Sequence, residues 1–158
     1  MKKRLGTTAV IMVAAILIGA FITAKSAAAG ETGKDGRFIA SDKGTVLDTS
    51  SNLMWAAKDN GSDIDWTNAK SYCRNYRGGG FTDWRMPTQA ELAGLYDGSV
   101  KGRNGYNLTT LITLTACCPW TSEVLRSNVM RVDFTNGGRR FSPTSSGNGR
   151  VLPVRSGK

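Results

Sequence analysis

The sequence predicts an α+β fold, two helices packed on a twisted antiparallel sheet. Three observations carry this expectation. Apolar residues recur at helical spacing in two early stretches, around residues 66–76 and 88–96. Short β-type runs separated by turn residues crowd the chain after Cys118. Nineteen glycines in 158 residues suit a fold with many turns and few long helices.

The chain opens with a basic cluster, Lys2-Lys3-Arg4, followed by an apolar run from Ala9 to Ile22 broken only by Gly19. Ala27 and Ala29 then stand at the −3 and −1 positions before Gly30, the small-residue pattern at which signal peptidase cuts. The run is short of the ~20 apolar residues a spanning helix needs. Residues 1–29 are therefore expected to be a cleaved secretory signal, with no stable membrane insertion afterwards. The mature protein is expected at the cell surface, in the periplasm or in the medium. Residue 30 is Gly rather than Cys, so the site is not that of a lipoprotein.

Residues 30–36 (Gly-Glu-Thr-Gly-Lys-Asp-Gly) read as a flexible start, and residues 37–158 as one domain. Arg37 to Ala40, Thr45 to Asp48 and Leu53 to Trp55 read as short strands, with turn chemistry in Thr49 to Asn52. Asp65 is placed to cap a helix on whose inner face Trp66, Ala69, Cys73 and Tyr76 recur. Gly78-Gly79-Gly80 stops it. Thr88 and Glu91 have capping-box spacing behind Pro87, and Leu92, Leu95 and Tyr96 form the apolar side of the second helix. The late strands are expected at Trp120 to Val124, Val129 to Phe134, Arg139 to Ser142 and Arg150 to Val154, with Asn136-Gly137-Gly138 as a hairpin turn.

Charge is uneven along the chain. Formal net charge is +9 overall, and the signal accounts for four of those positive charges. From Gly30 to Pro119 ten basic residues balance ten acidic ones. From Trp120 onward Arg126, Arg131, Arg139, Arg140, Arg150, Arg155 and Lys158 face only Glu123 and Asp133. A basic C-terminal face of this kind suits a polyanionic partner. Nucleic acid is not expected, because export removes it as a partner and no base-stacking aromatic series lies among the arginines.

The sequence has no histidine, which removes the commonest general base and metal ligand at neutral pH. No enzymatic activity is expected. Cys73, Cys117 and Cys118 suggest an oxidising compartment. Neighbouring cysteines rarely bond to each other, so Cys73 is expected to pair with Cys117 or Cys118. Bridged cysteines are not free to hold zinc. No cofactor is called for; the oxygen-rich loop of Asp59, Asn60, Asp63 and Asp65 is where calcium would bind, although its spacing is not that of an EF-hand.

Several stretches together resemble the Lcl C-terminal domain family. They are Asp48 to Trp55 (DTSSNLMW), Trp66 to Cys73 (WTNAKSYC), Gly80 to Leu92 (GFTDWRMPTQAEL), Trp120 to Glu123 (WTSE), Val132 to Gly138 (VDFTNGG) and Val151 to Arg155 (VLPVR). The resemblance implies a C-type-lectin-like fold, related also to formylglycine-generating enzymes. It implies framework roles for Trp55, Trp66, Trp84, Arg85 and Trp120. Where the family often has a cysteine in the last strand, this chain has Pro153, and no collagen-like stalk precedes the domain.

In lectin-like folds the late strands and their loops carry the ligand surface. The expected ligand residues are therefore Arg126, Asn128, Arg131, Asn136, Arg139, Arg140 and Arg150, since a guanidinium fork matches sulfate and carboxylate. The expected partner is an acidic polysaccharide or surface glycan. The alternatives are an exported protein partner and an enzyme of the formylglycine-generating type, the latter disfavoured because Cys117 and Cys118 are adjacent rather than spaced.

Overall fold

A computed structural model of the protein describes residues 30–157; the expected signal, residues 1–29, lies outside them. Eight strands and two α-helices follow in the order β1 (Glu31–Asp35), β2 (Phe38–Ser41), β3 (Thr45–Asp48), β4 (Leu53–Ala56), α1 (Trp66–Asn75), α2 (Gln89–Leu95), β5 (Trp120–Leu125), β6 (Asn128–Val132), β7 (Arg139–Pro143) and β8 (Val154–Ser156). Single 3₁₀ turns occupy Gly78–Gly80 and Arg103–Gly105. The arrangement is α+β.

The strands form two sheets, not the one expected. A five-stranded sheet has the order β1-β2-β3-β4-β8, and a three-stranded sheet the order β5-β6-β7, every pair antiparallel. The last strand therefore leaves its sequence neighbours and pairs with β4, Trp55 opposite Val154. It begins at Val154 rather than Arg150 because Pro153 has no amide to give to a ladder. The Pro153 carbonyl instead accepts from the Ala56 amide at 3.0 Å.

Residues 30–36 are not a flexible start. Glu31–Asp35 is the edge strand β1, paired with β2 through a turn at Gly36. The Asp35 carboxylate anchors its end, accepting from the Thr109 hydroxyl at 2.6 Å and the Thr110 amide at 3.1 Å.

α1 starts where Asp65 accepts from the Asn68 amide at 2.9 Å. It buries Ala69 and Cys73 against Met86, Trp120, Val129 and Val151. α2 carries a full capping box: the Glu91 amide donates to the Thr88 hydroxyl at 3.2 Å and the Thr88 amide to the Glu91 carboxylate at 2.8 Å. Its Leu92 and Leu95 enter the main core with Val46, Trp55, Leu108, Ile112, Leu114, Phe134 and Leu152. α1 lies against β5, and α2 against β5 and β6.

Two predictions follow from the cap of α2. Thr88→Ala should cost about 1 kcal/mol in a urea melt. Glu91 also carries the Arg85 guanidinium, at 2.6 and 2.8 Å, and that hydrogen bond, with those from Thr88, holds its carboxyl below the usual value of 4.5 against the effect of burial. A carboxyl whose folded value is lowered stabilises the fold fully above its unfolded value, and that contribution is lost as pH falls through the folded one. The melting temperature of the wild type should therefore fall with acid below about pH 4.5 more steeply than that of Glu91→Gln.

Candidate functional site

β5, β6 and β7 present Trp120, Arg131 and Arg140 in one row across the small sheet, because Trp120 pairs with Arg131 and Arg131 with Arg140. This alternation turns Arg131 inward. Its residue is only 7% exposed, and its guanidinium lies 4.5 Å from the centre of the Trp120 ring. Its Nε donates to the Cys118 carbonyl at 2.6 Å. The two terminal nitrogens have only long contacts, 3.4 Å to the Ser142 hydroxyl and 3.5 Å to Asn148.

Among the described residues no carboxylate pairs with Arg131. Burial, with repulsion from Arg140 and Arg150, lowers its proton affinity from the usual arginine range. Arg140 is held by the buried Asp133 at 2.6 Å. Burial works against ionisation of Asp133, but hydrogen bonds from the Thr135 hydroxyl and amide and from Arg140 outweigh it and lower its carboxyl. Arg150 is turned to Asp63 and to the Thr115 hydroxyl.

Arg131 and Arg140 line a cleft of about 500 Å³ together with Cys117, Cys118, Phe141, Ser142, Ser146 and Asn148. Three guanidiniums thus stand close enough to repel one another beside open space. Two are neutralised by protein carboxylates, and Arg131 is not. An anion with two oxygens would meet the terminal nitrogens of Arg131 there, with hydroxyl and amide groups alongside.

The seven expected ligand residues are not one surface. Arg131 and Arg140 line the cleft, and Arg150 lies near it but is directed at Asp63. Arg126 sits in the β5–β6 turn at a positive φ of 56°, and Asn128 is exposed at the start of β6. Asn136 is engaged in its own turn, its side-chain oxygen accepting from the Gly138 amide at 2.8 Å. Arg139 is exposed and lines, with Asn136 and Arg140, a second pocket beside the 136–138 turn. Sequence reading did not single out Phe141, Ser142, Ser146 or Asn148. Ser146 and Asn148 come from the Ser/Asn/Gly loop of residues 144–149 that follows β7.

The disulfide expectation is corrected. Cys117 and Cys118 are bonded to each other, and Cys73 is free. Cys73 is buried in the apolar cluster beneath α1, and that burial pushes its thiol up to about 12. The Cys117–Cys118 segment is held from outside, the Phe134 amide donating to the Cys117 carbonyl at 2.9 Å and Arg131 to that of Cys118. Cys73 is committed to packing with Met86, Trp120, Val129 and Val151, whereas Cys117 and Cys118 line the cleft.

The oxygen-rich loop is spent on protein donors. Asp59 accepts from the Thr115 amide at 2.6 Å and from its hydroxyl, and Asn60 accepts from the Val151 amide at 2.9 Å. Asp63 faces Arg150, and Asp65 caps α1. The four side chains do not converge on one point and fasten the entry of α1 to the strands instead.

Trp55, Trp84 and Trp120 are interior and Trp66 is partly buried. Trp55 and Trp84 are almost wholly buried, the latter donating to the Gly78 carbonyl at 3.1 Å. Trp66 donates to the Thr121 carbonyl and Trp120 to that of Ile64, each at 2.8 Å. Arg85 is spent on Glu91.

No curated protein matches the chain. Its residues 44–155 match the family model of the Lcl C-terminal domain, a span that takes in β3 to β7, the start of β8 and the cleft but not β1 or β2, and the chain belongs to that family.

Proposed function

We propose that the domain is an exported, non-enzymatic binding module that recognises acidic polysaccharide through the cleft between β6, β7 and residues 116–118. The observation that carries this is Arg131, a guanidinium in the wall of the cleft with no carboxylate partner among the described residues and only long contacts, 3.4 and 3.5 Å, at its terminal nitrogens. Phe141, 58% exposed, offers a flat apolar rim, and Ser142, Ser146 and Asn148 offer hydroxyl and amide groups. An apolar face beside such polar groups suits a sugar ring, and the cation suits its sulfate or carboxylate. The C-type-lectin-like fold implied by the sequence resemblance supports the same reading. No cofactor is required.

A glycan array probed with residues 30–158 at two salt concentrations tests it. Acidic glycans should be bound at both, and loss of all binding at moderate salt would reduce the effect to general attraction between charges. Arg140→Ala should weaken binding roughly tenfold, the size of one charge-assisted hydrogen bond. Arg126→Ala, at the far turn, should leave it unchanged. Equal binding by the wild type and Arg140→Ala would sink the proposal.

A second reading rests on a separate observation. Val124, Leu125 and Phe141 are large apolar residues left exposed on the small sheet. Exposed apolar side chains of this kind would serve a module that docks on another exported protein, and retention of an envelope partner by Arg140→Ala but not by Leu125→Asp would favour it.

A further inference from the structure

The cleft has one wall of unusual chemistry, the Cys117–Cys118 disulfide. A bond between neighbours closes an eight-membered ring around the Cys117–Cys118 peptide, so it fixes the Cys117 carbonyl within that peptide and the Cα of Cys118, from which the Cys118 carbonyl hangs in a direction that the following Pro119 restricts. The two carbonyls of this segment have distinct structural duties. That of Cys117 accepts from the Phe134 amide at 2.9 Å, at the point where β6 runs into its turn. That of Cys118 is the short-range acceptor of the buried Arg131, at 2.6 Å, whereas the other contacts of that guanidinium are 3.4 Å or longer. The ring thereby sets where Arg131 stands in the cleft.

Both cysteines line the cleft, Cys117 partly exposed and Cys118 buried, so Cys117 is the half of the bond more open to attack. The Asp133 carboxylate lies within 4.8 Å of both sulfurs, and Arg140 neutralises it from its other side. Arg131 stands on the same wall as a cation that favours a departing thiolate.

We propose that the Cys117–Cys118 disulfide is a reducible latch that holds Arg131 in its binding position, so that the cleft is competent when the bond is closed and loses its anion site when the bond is opened. The reductant is a dithiol. Its thiolate attacks the Cys117 sulfur, forming a mixed disulfide and releasing the Cys118 thiolate. Its second thiol then attacks its own sulfur in the mixed disulfide, forming a cyclic disulfide and releasing Cys117. Two electrons pass to the protein and two protons complete the two thiols. The freed peptide no longer has to direct the Cys118 carbonyl at Arg131.

The latch concerns the same cleft as the binding proposal and depends on it for one of two readouts. The first readout needs no ligand: amide hydrogen exchange of residues 30–158, oxidised and then reduced with dithiothreitol. The Phe134 amide is expected to exchange about tenfold faster after reduction, with α1 and β2–β4 unchanged. The second is binding of chondroitin sulfate oligosaccharide, expected to weaken about tenfold on reduction and to recover on reoxidation. Cys117→Ser/Cys118→Ser should behave as the reduced protein without any reductant, and reduction of the wild type in place serves if that variant does not fold.

Unchanged exchange and unchanged binding after complete reduction overturn the latch. Faster exchange with undiminished binding also overturns it, because Arg131 would then hold its place without the ring. Faster exchange with no glycan binding in either state supports the latch and defeats the binding proposal instead.

Discussion

Trp120→Ala is expected to cost about 3–5 kcal/mol, the range for removing a fully buried aromatic side chain. That is a large share of the total stability of a domain this size. Trp120 is wholly buried, and its ring joins three parts of the chain. Its Nε1 ties to the Ile64 carbonyl, its face carries Arg131, and its edge fills the space beside Gly149. A Cβ at position 149 would run into the Trp120 Nε1, so the glycine is required by this ring. Gly149→Ala should therefore be strongly destabilising in the wild type and close to neutral once Trp120 is alanine. Urea denaturation of the two single variants and the double variant measures both effects. A loss below about 1 kcal/mol for Trp120→Ala, or full additivity with Gly149→Ala, would show that the ring does not organise this region.

Arg131→Met is expected to lose acidic-glycan binding altogether while the fold survives. Methionine keeps an apolar stem over Trp120 but leaves the Cys118 carbonyl without its donor, a loss of about 1–3 kcal/mol. Relief of repulsion from Arg140 and Arg150 offsets part of that. Arg131→Lys keeps the charge and should still bind poorly, because an ammonium cannot stack on the ring, reach the carbonyl and present two further donors at once. Calorimetric titration with chondroitin sulfate oligosaccharide, paired with a urea melt of each variant, separates binding from stability. Binding by Arg131→Met within twofold of the wild type would remove Arg131 from the site (about 0.4 kcal/mol).

The elements that local chemistry dictates were legible in the sequence. Thr88 and Glu91 announce their own cap, Asp65 likewise, and the apolar stripe of α1 is visible in Ala69 and Cys73. Edge strand β1 was not, since Glu-Thr-Gly-Lys-Asp has no apolar alternation and is held by pairing with β2 and by Thr109. The separation into two sheets depends on which distant strand β8 meets, and only the fold decides that.

The site was half legible. Its arginines stood out by charge, but charge suggests the surface, and Arg131 is interior because Trp120 and a backbone carbonyl receive it. The cysteines misled for a related reason. The rule against bonding neighbours looks only at the local peptide, and the sequence does not show that Cys73 is buried in the apolar cluster beneath α1 while the other two line the cleft.

The pairing of β8 with β4 bears on when the molecule can become itself. A polypeptide emerges from a ribosome or a translocation channel from its N-terminus onward, and β1 to β4 emerge early. Their sheet lacks its fifth member until residues 154–156 arrive, about a hundred positions later. Until then β4 has an open edge, and Trp55 lacks the neighbour that covers it. Closing so wide a gap is slow compared with local pairing. The sheet therefore reaches completion only after nearly all of the domain has been delivered.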